Sequence, residues 1–568
     1  MVQGVRSRSR IRAFGDPWFW FSVACAAIAA LLILLPLVRV FSESLSAGSQ
    51  GSAGARGLLA NYVVFFTKSR YLIALSNSLK VVVLSTFFGA LLAIPLAYLL
   101  ARYAFKGKSI ILTLITMATA APPFLGAYSW VMLTGRYGAL NRLIFWLTHV
   151  DVPIQLRGEA GVIWVITWLV FPMILLLSYD SFCAGDVSHR EASMGLGASR
   201  FKTFWKIELP LAAPGIVTGL LMAALSAFSD FGTPSIIGGE YPVMPTLVYG
   251  EFVSEMGGNL SMASTAGIIM VVISTIALVG QRLSLAGKSF ASVATPKAAP
   301  MLPGKGLKIA TLLLAGTVIV ISFLPHVTLL VVSLMKWKWG VLIPSFTMDN
   351  YVHLFQDNLS PVAVSFFLGT TATVLDIVFG VGIAYVIVKN KYKTISGFLN
   401  FTFMIPYVIP GIVFAVGFII QFNQPPLVLT GTWMILVLVF FIRKLPYSVK
   451  SAEAALYQIH PALEEAAMMC GARPYTAFKD VTFKLMVGGI ITGATLSFLQ
   501  IMTELSTTII LYRIPWVTMP VIIFQYAMTS GADFGISAAM GVLLMVCIYV
   551  PLAVINSRSR QTTFGGGF

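Results

Sequence analysis

Apolar runs long enough to cross a lipid bilayer recur about a dozen times along this chain, and nothing else in the sequence limits its fold so sharply. A spanning helix needs roughly 20 mostly apolar residues. Of the 568 residues, 58% are hydrophobic and 10% charged, whereas a soluble domain carries about a quarter charged residues. Surface-to-volume scaling limits how much apolar surface a compact soluble chain can bury, so the solvent here is lipid. The expectation is an all-α polytopic membrane protein of about twelve transmembrane helices in two sets. The first set lies near 18–40, 76–100, 110–133, 160–180, 211–230 and 263–281. The second lies near 308–334, 362–388, 398–420, 428–446, 486–510 and 534–556.

A net charge of +17 in a soluble protein points to nucleic acid. In a membrane protein Lys and Arg collect in cytoplasmic loops, and no nucleic-acid partner is needed. Twelve spans put both termini on one side. With the N-terminus inside, the inner segments hold 27 Lys and Arg and the outer ones 11, so both termini are expected in the cytoplasm. The outer segment 232–262 has neither Lys nor Arg but carries Glu240, Glu251 and Glu255. Arg6, Arg8, Arg10 and Arg12 precede an apolar stretch from Trp18 to about Val40, too long for a cleaved signal core and expected as a retained first helix. Cys25, Cys183, Cys470 and Cys547 lie in or beside apolar runs without metal-ligand spacing, and read as small buried hydrophobes. His149, His189, His326, His353 and His460 are dispersed and form no metal site.

The two sets are related by a repeat. Glu191 to Gly219 reads EASMGLGASRFKTFWKIELPLAAPGIVTG, and Glu465 to Gly493 reads EAAMMCGARPYTAFKDVTFKLMVGGIITG, 274 residues later without a gap. Aligned identities include Glu191/Glu465, Ala192/Ala466, Gly197/Gly471, Gly215/Gly489 and Gly219/Gly493. Both copies fall in the longest inside loops, where short connections would suffice for a bundle. A short helix, a glycine turn and a second short helix make a cytoplasmic knob. Two such knobs offer a paired docking surface to a two-fold partner.

The first copy resembles the EAA loop of binding-protein-dependent ABC importer permeases. The pattern runs Glu191-Ala192-Ser193, then Gly197, then Ile207-Glu208-Leu209-Pro210. The second copy keeps Glu465-Ala466-Ala467 and Gly471, with Val481 for the isoleucine and Phe483-Lys484 for Leu-Pro. The resemblance spans about 75–281 and 362–556. It implies a type I importer fold with both permease halves in one polypeptide: 1–281, a Pro-containing cytoplasmic linker 282–307, and 308–568. It also implies that Glu191, Ala192, Gly197, Ile207, Pro210, Glu465, Ala466 and Gly471 couple to an ATPase dimer on the cytoplasmic face of the bacterial inner membrane. A periplasmic or surface-tethered binding protein would deliver the solute to outer loops such as 232–262.

The chain itself lacks a P-loop. The nearest run, Arg282-Leu-Ser-Leu-Ala-Gly287-Lys288-Ser289, has arginine for the first glycine and follows a transmembrane helix rather than a strand. No cofactor is expected on this chain, and the ATP and Mg belong to the partner subunit. Ionisable residues inside spans are functional candidates by default. The same offset pairs Asp230 with Glu504, both expected toward the outer half of the fifth helix of their sets. There they either face a central pathway and attract a cation, or are acids hydrated at a helix end. Asp376 lies mid-span, where a helix-packing hydrogen bond explains it as well as transport. Pro122-Pro123 and Pro406/Pro410 kink the third helices or mark their ends.

The fused ferric-iron permeases are the nearest resemblance, in length, in the two-half plan and in SDFGTPSIIGG at 229–239. Hard ferric iron favours oxygen ligands such as Asp230 and Glu504. Thiamine, polyamine, phosphonate and sugar-phosphate systems share the plan, so the solute stays open. An ion-driven secondary carrier of the six-plus-six type would carry its main cytoplasmic feature between the halves, not once in each. A membrane enzyme would need clustered histidine and carboxylates.

Overall fold

The computed structural model describes residues 17–46, 57–119, 122–135, 138–149, 155–185, 187–253, 258–285, 301–338, 341–357, 359–389, 392–529 and 534–564. Arg6, Arg8, Arg10, Arg12, Glu255 and Gly287-Lys288-Ser289 lie outside the described residues. The first set of long helices is α1 (Pro17–Ser44), α2 (Ser69–Arg102), the broken α3 (Lys108–Ala118 and Pro123–Thr134), α4 (Gly158–Ala184), α5 (Arg200–Ser229) and α6 (Leu260–Ser284). The second is α7 (Lys305–Ser333), α8 (Leu359–Lys389), the broken α9 (Lys393–Val408 and Gly411–Phe422), α10 (Trp433–Tyr457), α11 (Pro474–Met502) and α12 (Phe534–Val554). Among the described residues, nine of these are long and apolar enough to cross a membrane, or up to eleven if each broken pair is one span. The remaining helix, α10, is unbroken, but Arg443, Lys444 and Lys450 interrupt its apolar run.

The prolines explain the broken helices. Proline removes an amide donor and disfavours helix in the residue before it. The limbs of α3 meet at 94° beside Pro122-Pro123, and those of α9 meet at 111° beside Pro410. Large apolar side chains such as Val83, Phe87, Leu91, Ile276, Val320 and Val378 stay exposed along the helices, as expected of a chain solvated by lipid.

Within each half the inner core is a triad, α2–α4–α5 and α8–α10–α11. The repeated glycines make it close. A Cβ on Gly215 would lie 2.4 Å from Ser181 Cβ, and one on Gly489 would lie 2.5 Å from Ala455 Cβ. Small residues let helix backbones approach in the absence of a hydrophobic force between helices. Asp376 is fully buried in α8 and accepts a hydrogen bond from Ser497 of α11.

The first helix of each half crosses over. α1 packs between α6 and the second half's α8 and α9, while α7 packs on α12 and on the first half's α2 and α3. Matching polar knots fix both. Asn61 Nδ2 donates to Ser44 O at 2.9 Å and Asn350 Nδ2 to Ser333 O at 2.8 Å. Tyr62 and Tyr351 bond the hydroxyls of the same two serines. The repeat therefore reaches back beyond residues 75 and 362, at an offset of 289 rather than 274.

Near the linker, the helix beginning at Leu260 runs on to Leu285 and α7 starts at Lys305, so the segment between them is shorter than 282–307 at both ends. Residues 286–300 lie outside the described residues. Met301 is anchored beside the C-terminal end of α2, donating to Arg102 O at 3.0 Å and accepting from Ala104 N at 2.9 Å. Of the four cysteines, Cys25 is buried and Cys183 and Cys547 are partly so, but Cys470 is exposed. Cys470 follows the last helical residue before a turn, not an apolar run, which corrects its reading as a buried hydrophobe.

Candidate functional site

The two 274-residue copies fold alike. In the first, a helix Val187–Gly195 ends at Gly197 (φ +83°), a turn of helix Arg200–Thr203 follows, and Phe204–Glu208 forms a π-turn that runs into the rest of α5. In the second, Ala462–Met469 ends at Gly471 (φ +92°), followed by Pro474–Ala477, the π-turn Phe478–Thr482 and the rest of α11. A positive φ ends a helix at little steric cost only for glycine. The closing bonds repeat as well: Gly197 N donates to Met194 O at 2.9 Å and Gly471 N to Met468 O at 3.0 Å. Phe483-Lys484 in place of Leu209-Pro210 leaves the exit geometry unchanged.

Each copy projects as an exposed knob. Glu191, Ala192, Gly197, Glu465, Ala466 and Gly471 are exposed, with bare apolar side chains around them, Leu196 89% and Met469 88% exposed. Ile207 lies in the first π-turn and Pro210 opens the α-helical part of α5. The N-terminal end of α1 lies on the same side of the bundle, because Trp18 packs on Phe478 of the second π-turn at 4.9 Å.

Asp230 and Glu504 lie just beyond the ends of α5 and α11, not within them, and cap the short helices that follow. Asp230 Oδ1 accepts from Gly232 N at 3.1 Å, ahead of Gly232–Ile237. Glu504 Oε1 accepts from Thr507 N at 3.3 Å, ahead of Thr508–Leu511. Glu504 does more. Arg443 Nη1 lies 2.6 Å from its Oε1 and Lys444 Nζ 2.6 Å from its Oε2, all deeply buried. Arg443 and Lys444 fall within the span expected at 428–446, although the charge count tallies them with the inside loop; the structure sets them within α10. Moving two cations leaves the direction of the charge bias unchanged.

These residues line a cavity of about 260 Å³ between the halves. Its walls correspond through the repeat. Leu169, Met173, Ser226, Ser229 and Asp230 line one side, and their equivalents Arg443, Tyr447, Gln500, Thr503 and Glu504 line the other. One wall is largely apolar and hydroxylic, whereas the other carries an Arg–Lys–Glu network and two tyrosines, Tyr407 and Tyr447. Ionisable groups buried between apolar helices mark this cavity as the candidate functional site. The expected span 428–446 already contains Arg443 and Lys444, but the pair is not among the candidates drawn from sequence, although two cations inside an apolar run are the kind of ionisable groups that mark a functional site. Asp376 does not line this cavity. Among the described residues no three His, Cys, Asp or Glu side chains gather to hold a metal ion.

A membrane bundle made of two like halves, each with an exposed knob, around a shared polar cavity is the architecture of a transporter subunit. The chain belongs to the family described as the binding-protein-dependent transport system inner membrane component, which it matches twice, at residues 93–286 and 376–560. It is 26% identical over 493 residues to the ferric transport system permease protein FbpB of Actinobacillus pleuropneumoniae, covering 85% of this chain and 70% of that one. It is 23% identical to the Fe(3+)-transport system permease protein FbpB 2 of Haemophilus influenzae, over 95% of this chain and 98% of that one. A crystal structure of a bacterial ABC transporter that imports alginate aligns with 46% of this chain and 92% of that chain, at 17% identity and a TM-score of 0.37.

Proposed function

We propose that this chain is the complete translocation path of an ABC importer for ferric iron, both halves of the path being supplied by one polypeptide. The halves, expected as 1–281 and 308–568, are joined through a cytoplasmic segment that the helix ends narrow to 286–304. The protein lies in a bacterial inner membrane with both termini in the cytoplasm. A binding protein outside the membrane delivers the cargo, and an ATPase dimer, which supplies the ATP and Mg chemistry, seats the two knobs. Glu191, Ala192, Gly197, Ile207 and Pro210 form one seat, and Glu465, Ala466 and Gly471 the other.

The observation that carries this reading is the paired knob. Two exposed, apolar-tipped projections of the same backbone geometry on a two-half membrane bundle suit a motor with two like subunits. The fused ferric permeases among its relatives favour iron as cargo. The cavity supplies oxygen donors, Asp230, Glu504, the two tyrosines and the hydroxyls of Ser229 and Thr503, which suit a hard cation. The ATPase pair closes and opens through its cycle of ATP binding and hydrolysis, the knobs follow, and the cavity between the halves opens to one side or the other.

One feature favours a second cargo class in the same transporter type. On the second wall Arg443 and Lys444 bring two positive charges against the single charge of Glu504, with Asp230 on the opposite wall, and that paired cationic wall suits an oxyanion such as a phosphonate. The test is uptake by proteoliposomes holding the chain, its ATPase and its binding protein. The reading expects ATP-dependent entry of radioactive ferric iron, lost when Glu191 and Glu465 are both replaced by alanine in properly inserted protein. Unchanged uptake in that variant contradicts the coupling role. Uptake of phosphonate but not iron would replace the cargo.

A further inference from the structure

We propose that each knob is tied to the inner end of the second helix of its half by a clamp of tyrosine, base and carboxylate, and that these are positioning residues passing knob motion into the bundle. In the second half, Tyr385 donates to Glu464 and Lys389 Nζ lies 2.7 Å from Glu464 Oε2. Thr482 Oγ1 donates to the same carboxylate at 3.2 Å. In the first half, Tyr98 donates to Glu208 Oε2 at 2.8 Å and Arg102 Nε lies 2.8 Å from Oε1. Tyr98 and Tyr385, like Arg102 and Lys389, are equivalent at an offset of 287. Each tyrosine ring also packs on the equivalent phenylalanine of the π-turn, Tyr98 on Phe204 at 4.7 Å and Tyr385 on Phe478 at 4.6 Å.

The carboxylates, however, are not equivalent. Glu464 corresponds to Arg190, and Glu208 corresponds to Thr482. Glu464 rides on the first helix of its knob, whereas Glu208 rides on the π-turn at the head of α5. The acid has moved across the loop between the halves, while its tyrosine and its base stayed in place. Glu208, Glu464, Arg102 and Arg190 are all buried, at 3%, 5%, 8% and 7% exposure. A packing accident would not rebuild the same contact from the opposite side of the loop. What both halves retain is a tyrosine-to-carboxylate hydrogen bond, beside an ion pair, between the knob region and the second helix.

The two knobs therefore differ mechanically. The second is held to α8 directly. The first is joined to its clamp through its own loop, where Ser193 and Thr203 share a hydrogen bond of 3.0 Å. π-turns interrupt both helices at the attachment point, as they often do at functional positions. The clamp thus ties α2 or α8 to the element that the ATPase drives, so each stroke moves α4–α5 or α10–α11 together with its second helix.

This inference rests on the coupling role of the knobs, and its test separates the two. Glu464→Gln, Glu464→Arg and the double variant Glu464→Arg with Thr482→Glu are purified with the ATPase, and uptake per ATP hydrolysed is measured in proteoliposomes. The double variant rebuilds in the second half the arrangement of Arg190 and Glu208. The expected result is that the ATPase still co-purifies, that Glu464→Arg lowers uptake per ATP about tenfold, and that the double variant restores it to within about threefold of the parent. Glu464→Gln falls between. The clamp is overturned if Glu464→Gln and Glu464→Arg couple like the parent, or if the double variant is no better than Glu464→Arg at equal membrane level. If the single variants fail to insert, recovery of both insertion and coupling in the double variant supports the clamp, and recovery of insertion alone reduces it to a packing contact. Failure of the unaltered chain to bind any ATPase defeats the coupling role instead.

Discussion

At the scale of single residues, Asp230 and Glu504 show how equal positions acquire unequal duties. Both cap a short helix with a carboxylate, but only Glu504 also pairs with Arg443 and Lys444. Removing one partner from a buried ion network leaves uncompensated charge and costs about 3–5 kcal/mol, whereas losing a cap costs about 1 kcal/mol. Glu504→Gln should therefore lower the thermal stability of the purified protein far more than Asp230→Asn. Equal losses in a melting measurement would show that the network is not what holds this wall. A leucine at Lys444 together with Glu504→Gln should recover part of the loss, because that pair removes one charge of each sign. Asp376, expected either as a helix-packing bond or as a pathway acid, accepts a hydrogen bond from Ser497 and does not line the cavity. Arg443 and Lys444 lie within the span expected at 428–446, but their partner is not legible from sequence: Glu504 stands 60 residues beyond Lys444 and meets them only in the folded bundle.

At the scale of elements, the knob depends on its glycine and the triads depend on theirs. Gly197 and Gly471 hold φ values of +83° and +92°, where a Cβ costs roughly 1–2 kcal/mol. Gly197→Val with Gly471→Val should leave the bundle in the membrane and reduce co-purification of the ATPase. Normal co-purification would mean the turn geometry is dispensable. Gly489→Leu should prevent stable insertion of the second half, because even a Cβ there lies 2.5 Å from Ala455 Cβ. Protein levels in isolated membranes report this, and an undiminished level would contradict the packing. The knobs were legible because both copies carry helix, glycine and helix at one spacing. The clamp was not, because its offset changes from 287 in the second helices to 274 in the loops and its acid changes sides. The broken helices were legible as proline positions, but the bend angles of 94° and 111° depend on neighbours the sequence does not identify.

At the scale of the whole molecule, the crossed first helices make the two halves one structure. α1 lies against α8 and α9, and α7 against α2 and α3. Cutting the chain between 286 and 300 and expressing the two parts together should restore a working complex, whereas either part alone leaves a helix without its partner and should be degraded. Independent accumulation of a lone half would contradict the interlock. Two similar halves were plain from the repeat, but the crossing was not, since hydropathy locates helices without naming their neighbours. The asymmetric cavity follows from the same fusion. Once both halves belong to one chain, each wall can change independently, and here charge has gathered on the second.

The central claim is that both knobs receive the ATPase from the cytoplasm, and cross-linking tests it at equivalent positions. Cys470 is native and exposed at the second knob, and Leu196→Cys places a thiol at the matching position of the first. With the other cysteines replaced, a photoactivated thiol reagent is attached at each site in membranes containing the assembled transporter. The account predicts that both positions cross-link to the ATPase subunit and that neither is labelled in intact cells by a reagent confined to the outside. Labelling from outside, or an ATPase that is captured from neither position, would contradict it.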